Sequence, residues 1–206
     1  MSSAPLSWKN SVPSNEHAKS VNESTAGSVI PKWITFFVVA MLGTTLDLWT
    51  KSAIFAWLGL PGENSPWWLI EPYVGIETAV NPGALFGLGA GFGFVFAILS
   101  VAAAVGIFVW LAKFRAIESW WLTSALSFVL GGIGGNLYDR LGLWNPPEAR
   151  PEWASGVRDW ILFQYNDQWV WPNFNIADSL LVCGAIMLFL HTLFTKPTVD
   201  QAKQES

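Results

Sequence analysis

The chain is short of charge, of cysteine and of histidine, and each shortage removes a class of chemistry. Only 13% of its 206 residues are charged, against about 25% in soluble domains. The formal charge is −4, without the clustered basic face that a nucleic-acid partner needs. A single cysteine, Cys183, excludes an intrachain disulfide and a cysteine-based zinc cluster. Within LLVCGAIMLFL it reads as an inert packing residue. The two histidines, His17 and His191, lie near opposite ends of the chain. That separation argues against a histidine-ligated metal and against a Ser-His-Asp triad. The HExxH and GxSxG patterns are missing as well, so neither metal nor cofactor is expected.

What the sequence does have is long apolar runs. Residues 1–30 are polar, rich in Ser and Asn, and read as a disordered tail. Four runs follow: Trp33 to about Leu60, Gly87 to Ala112, Ser119 to Tyr138, and Phe174 to Thr195. A membrane-spanning helix needs about 20 mostly apolar residues, and each run is long enough. The expected fold class is a mainly α membrane protein with four transmembrane helices. Lys32, Lys113, Arg115, Lys196 and Lys203 flank one set of span ends. By the positive-inside rule both termini are expected in the cytoplasm, with 61–82 and 139–173 outside. Arg140, Arg150 and Arg158 count against this, being in the outer segment.

The outer segments carry Trp67, Trp68, Trp144, Trp153, Trp160, Trp169 and Trp171. Indoles favour the headgroup layer, so these residues form an interfacial belt, a surface for a lipid-bearing substrate, or both. Gly131 and Gly135, at GxxxG spacing in GGIGG, predict close helix packing.

Charged residues in the spans are few, and such residues are usually functional. Asp47 and Lys51 are four apart on one helical face and can pair. Either a structural charge pair or a part in substrate binding fits them. Asn136 and Arg140, in GNLYDRL, also share a face, and Asp139 beside Arg140 is expected in a structural ion pair. The Arg140 guanidinium can hold a phosphate, a carboxylate or a peptide carbonyl. Asp178 opens the fourth run in FNIADSL, and Asp159 lies upstream in GVRDWI. If the chain folds back, the two carboxylates meet and share one proton. That is aspartyl-peptidase chemistry, which needs no metal, cysteine or histidine.

In this arrangement the chain resembles lipoprotein signal peptidase, the signal peptidase II family. The resemblance rests on DLWTK (Asp47, Lys51), NPGALFG (Asn81, Gly83), GGIGGNLYDR (Gly132, Asn136, Arg140), GVRDWI (Asp159) and FNIADS (Asn175, Ala177, Asp178). These occur in the family's order over roughly residues 33–195. The resemblance implies a small extracytoplasmic β-cradle and a short periplasmic helix on the four spans. It implies a bacterial inner-membrane endopeptidase that cuts a diacylglyceryl-modified prolipoprotein just before its lipid-bearing cysteine. Asp159 and Asp178 are then the catalytic dyad. Asn81, Gly83, Gly132, Asn136, Arg140, Asn175 and Ala177 line or support the site, and Asp47 and Lys51 brace it. Block by globomycin, and partnership with prolipoprotein and membrane lipid, follow from the same resemblance. The organisation expected is a tail over 1–30, a peptidase domain over 31–196 and a cytoplasmic tail over 197–206.

The chain departs from the family pattern in its longer N-terminal tail and in two further places. The segment LGLWNPPEARPEWAS is inserted between Arg140 and Asp159, and Arg158 stands where the family has an apolar residue. Asp139 and Asp167 are thus alternative partners for Asp178. The first is disfavoured by an expected pair with Arg140, the second by its turn-like context. A small ion-coupled transporter is the competing reading. It would want a midplane site and an inverted repeat, and the acidic residues gather instead toward one face.

Overall fold

A computed structural model of the protein describes residues 15–83, 89–144, 150–166 and 168–195. Four helices dominate it: α1 (Asn15–Leu58), α2 (Gly93–Lys113), α3 (Trp120–Arg140) and α4 (Ile176–Phe194). Three of them contain stretches long and apolar enough to cross a membrane, at Val29–Leu58, Gly93–Lys113 and Ile176–Phe194. Their large apolar side chains point outward: Met41, Leu42, Phe94, Leu99, Phe189 and Leu193 are all exposed. A helix in water would bury such residues, so these faces suit lipid.

The third run expected to span does form a helix of 21 residues, α3, but it falls short of those three stretches in apolar character. The physical reason is its position. It packs mainly against α1 and α4, and Ala125, Leu126, Ser127, Gly131, Gly132 and Gly135 are buried along it. A helix surrounded by helices needs small residues more than lipophilic ones. At Gly132 an added Cβ would collide with the Ala177 backbone and the Leu181 side chain, and at Gly135 with the Asp47 carboxylate.

The helix α1 begins at Asn15, inside the 1–30 stretch expected as a tail. Ala, Glu and Lys in NEHAKSVNESTAG are adequate helix formers; the apolar part starts only at Val29. Residues 1–14, and 196–206 with the expected C-terminal tail, lie outside the described residues.

A small antiparallel sheet completes the fold, in the order β1-β2-β3-β4. Strands β1 (Trp67–Ile70) and β2 (Val74–Asn81) join α1 to α2, and β3 (Val157–Asn166) and β4 (Trp169–Phe174) join α3 to α4. Both connections therefore meet at one end of the bundle, where Ala79 pairs with Asp159, Val80 with Arg158 and Asn81 with Val157. Among the described residues, helical structure in these two connections is confined to a 3₁₀ turn at Pro151–Trp153. At the opposite end a second 3₁₀ turn, Ala116–Glu118, links α2 to α3. There Phe36, Ile107, Leu111, Ala116, Ile117, Leu126 and Ile133 form the apolar core.

Candidate active site

The sheet end of the bundle buries charge instead of oil. Asp47, Lys51, Asp139, Arg158, Asp159 and Asn175 are all at most 4% exposed. Each is delivered by a different local device. Asp47 and Lys51 stack one turn apart on α1 and pair at 2.7 Å. Asn136, Asp139 and Arg140 occupy the last turns of α3. Asn175 caps α4: its Oδ1 accepts the Asp178 backbone N–H at 2.9 Å. Asp178 in turn accepts the Asn175 N–H at 3.2 Å, a reciprocal capping box. That cap fixes Asp178 in the first turn of α4, where the helix dipole favours a carboxylate.

Asp159 and Asp178 are drawn together through two asparagines. The Asn175 amide donates to Asp159 Oδ1 at 2.6 Å and to Asn136 Oδ1 at 3.2 Å. The Asn136 amide donates to Asp178 Oδ1 at 2.8 Å, and Lys51 Nζ donates to Asn136 Oδ1 at 2.9 Å. Burial, reinforced by the neighbouring charge of Asp178, holds Asp159 well above the usual carboxylate range. Lys51 and the Asn175 hydrogen bond pull it down less strongly. Asp178 accepts two N–H groups, one from the Asn136 amide and one from the Asn175 backbone.

The remaining predicted residues surround this pair. The Ala177 N–H donates to Asp47 Oδ1 at 2.9 Å, so the α1 charge pair also pins the start of α4. Gly132 lies against Ala177. Arg140 donates to the Asn81 carbonyl at 3.2 Å and the Ser155 carbonyl at 3.0 Å, and to the Gly83 carbonyl. Asn81 Oδ1 accepts the Gly83 N–H at 3.0 Å. Of the groups Arg140 was expected to hold, it holds peptide carbonyls, those of its own chain. It thereby ties the 81–83 and 155 segments to the end of α3.

The ion pair expected between Asp139 and Arg140 is corrected by the structure. Asp139 pairs with Arg158 at 2.8 Å and with Lys51 at 3.2 Å. Successive residues on a helix diverge by about 100° and do not face each other, so Arg140 points elsewhere. Arg158 is the residue that sequence reasoning left out of the site, although its unusual type in GVRDWI was a signal. Asp167 lies outside the described residues. Among the described residues no group of His, Cys, Asp or Glu side chains is arranged to hold a metal.

A family model described as signal peptidase (SPase) II matches residues 39–194. The chain is similar to the lipoprotein signal peptidase of Rhodopirellula baltica, 58% identical over 171 residues, covering 82% of this chain and 77% of that protein. It is 33% identical over 178 residues to the lipoprotein signal peptidase of Rhodococcus jostii, covering 84% and 82%. The one from Pseudomonas fluorescens strain Pf-5 is 37% identical over 134 residues, covering 63% and 72%. A solved bacterial membrane enzyme, determined by the in meso method at 2.3 Å resolution, shares the fold with a TM-score of 0.64 and 23% identity, covering 84% of this chain and 93% of that one.

Proposed function

Because the chain belongs to the signal peptidase II family, a membrane peptidase that removes signal peptides from prolipoproteins, we propose that Asp159 and Asp178 are its catalytic dyad. The observation that carries this reading is the shared asparagine. Asn175 donates to Asp159 at 2.6 Å and accepts from the Asp178 backbone at 2.9 Å, so one side chain sets both carboxylates. In the proposed reaction Asp178 takes a proton from water as the water oxygen attacks the scissile carbonyl. Asp159, whose burial favours the protonated carboxyl, gives its proton to the carbonyl oxygen. The resulting gem-diol collapses and the C–N bond breaks. The proton on Asp178 passes to the leaving nitrogen, and a hydroxyl proton of the gem-diol returns to Asp159. Two carboxylates that share a proton can serve both roles in turn.

The substrate follows from the family. It is a diacylglyceryl-modified prolipoprotein, cut just before the lipid-bearing cysteine, with the Trp-rich sheet at the membrane surface. Asn81, Gly83, Asn136, Arg140, Asn175 and Ala177 line or support that site, Gly132 packs beneath it, and Asp47 and Lys51 brace it. Incubation with lipidated prolipoprotein in detergent should release the signal peptide. An intact substrate, with a second family member active in the same assay, would contradict the assignment. Globomycin should block the same activity, and turnover unchanged at saturating globomycin would remove that inhibitor from the site.

The same reading takes α3 as a fourth span and places the sheet outside the cytoplasm, with both termini inside. Lys32 Nζ reaches the Glu118 carbonyl at 2.6 Å, so basic residues of α1 and of the α2–α3 connection share the end away from the sheet. A reporter fused after Lys203 should behave as cytoplasmic; activity of a periplasmic reporter there would reverse the orientation.

A further inference from the structure

Two departures from the family pattern, Arg158 and the longer segment before Asp159, turn out to touch each other. Arg158 lies next to Asp159 on β3, and consecutive strand residues point to opposite faces. Arg158 can therefore act on the strand from the side away from the reacting atoms. Its Nε and Nη2 donate to Asp139 Oδ1 at 3.1 and 2.8 Å. Its backbone N–H donates to Asp139 Oδ2 at 3.0 Å, so one carboxylate grips both the side chain and the main chain. On the other side its carbonyl accepts the Asn175 amide at 3.2 Å, the same amide nitrogen that donates to Asp159. The residue preceding Asp159 is thus fixed from α3 and from α4 at once.

The guanidinium is covered by the added segment. Trp144 lies over it with the ring centre 5.3 Å away, and Phe55 of α1 lies at 6.0 Å. Trp144 Nε1 donates to the Gly156 carbonyl at 3.0 Å, which holds the indole in place just before β3. An arginine with its fork on a carboxylate and its face on an aromatic ring keeps its charge when buried. The longer segment supplies the ring that this arginine needs.

We propose that Arg158 is a positioning residue for the peptidase reaction: clamped to Asp139 and covered by Trp144, it sets the placement of Asp159 and balances the charge behind it. This rests on the reading of Asp159 and Asp178 as the dyad. Four buried charges make up that balance, Asp47 and Asp139 against Lys51 and Arg158. The charged groups around Asp159 are Asp178 from α4, Lys51 from α1, and Asp139 and Arg140 from α3. Without Arg158, Lys51 alone faces two carboxylates, and the negative charge left over favours the protonated dyad.

Arg158→Met tests this, since methionine fills much of the same space without charge or fork. The expected result is a kcat lower by roughly 10- to 100-fold, as for a small misplacement of a reacting group. KM should stay nearly unchanged, and the pH–rate profile should move to higher pH. Adding Asp139→Asn restores neutrality, so the profile should move back while kcat remains low. Arg158→Lys keeps the charge without the fork, so it should lower kcat at an unmoved profile. This variant carries the test if Arg158→Met does not insert or fold. Wild-type kcat in a folded Arg158→Met or Arg158→Lys would overturn the proposal. So would an Arg158→Met that loses kcat with no movement of the profile, because that marks a merely structural residue. Asp159→Asn in the same assay separates the two readings. Activity there overturns the dyad, whereas a dead Asp159→Asn beside an unaffected Arg158→Met overturns the role of Arg158 alone.

Discussion

The two ends of the helix bundle are built on opposite principles. At the end away from the sheet, Phe36, Leu111 and Leu126 are buried against one another, and Phe36 meets Trp33, Phe37 and Phe108 edge-on. At the sheet end, fully buried positions hold Asp47, Lys51, Asp139 and Asn175. Replacing such a network by apolar residues often leaves a protein as stable or more so, whereas removing one partner costs several kcal/mol. The charged end is therefore poorly explained as a stabilising device. It fits the proposed dyad better, as a fixture that holds Asp159 and Asp178 in place. The apolar end keeps the helices together, and on the proposed reading the polar end uses that rigidity for chemistry.

The largest effect that sharpens this contrast should come from the dyad. Asp159→Asn and Asp178→Asn keep shape but cannot pass a proton, so each should lower cleavage by at least about 1,000-fold, within the range for acid–base groups. The double variant should be scarcely worse, because residues acting as a unit are not additive. Membrane insertion and thermal unfolding should stay close to wild type, and an active single variant would break the assignment.

Next in size is Lys51→Met, which strands the buried Asp47 carboxylate and leaves Asp139 to Arg158 alone. It should destabilise the protein by about 3–5 kcal/mol, read as a lowered unfolding temperature in detergent, and turnover should fall with it. Normal stability in that variant would show that Asp47 finds another partner.

A smaller loss is expected at the opposite end. Leu111→Ala leaves a cavity beside Phe36 and should cost about 2 kcal/mol, the low end for such truncations, since lipid-embedded helices gain little from the hydrophobic effect. The activity of the remaining folded protein should be unchanged. A kcat loss matching the stability loss would deny that the two ends are separable.

The smallest effect is a pH dependence of stability. Burial holds the Asp159 carboxyl above its ordinary range, so folding favours its protonated form. That contribution is fully present below the ordinary carboxylate range and is lost as pH rises through the folded value. Asp159→Asn should therefore raise the unfolding temperature slightly near neutral pH and lose the gain under acid. A gain that is larger in acid would reverse the sign and contradict the raised value.

Much of the helical frame was legible in the amino-acid sequence because lipid-facing helices must be apolar along their length. The third helix was legible as a run, yet its glycines make sense only once α1 and α4 are seen against it. The strands were hidden from residue patterns. In β3, Val157, Arg158 and Asp159 are buried in succession, and irregularities interrupt pairing between Ile76 and Ala79 and between Ile161 and Phe163. Such strands lose the period-two signal. Only the family resemblance pointed to a sheet. Within the site, Asp47 and Lys51 could be paired from their spacing, because the contact lies within one helix. The Asp139–Arg158 pair could not, because it spans 19 positions and depends on how β3 settles against α3. The nearer arginine drew the assignment, although helix geometry already set it facing away.

The most direct test of the shared-proton dyad is infrared spectroscopy of the detergent-solubilised protein across a pH series, with Asp159→Asn as the reference. A protonated carboxyl band should be present at neutral pH in the wild type and missing in Asp159→Asn. It should disappear at the same pH as the alkaline limb of the cleavage rate. A neutral-pH spectrum with no such band, or a band that survives in Asp159→Asn and titrates apart from the rate, would contradict Asp159 as the proton-bearing member of the pair.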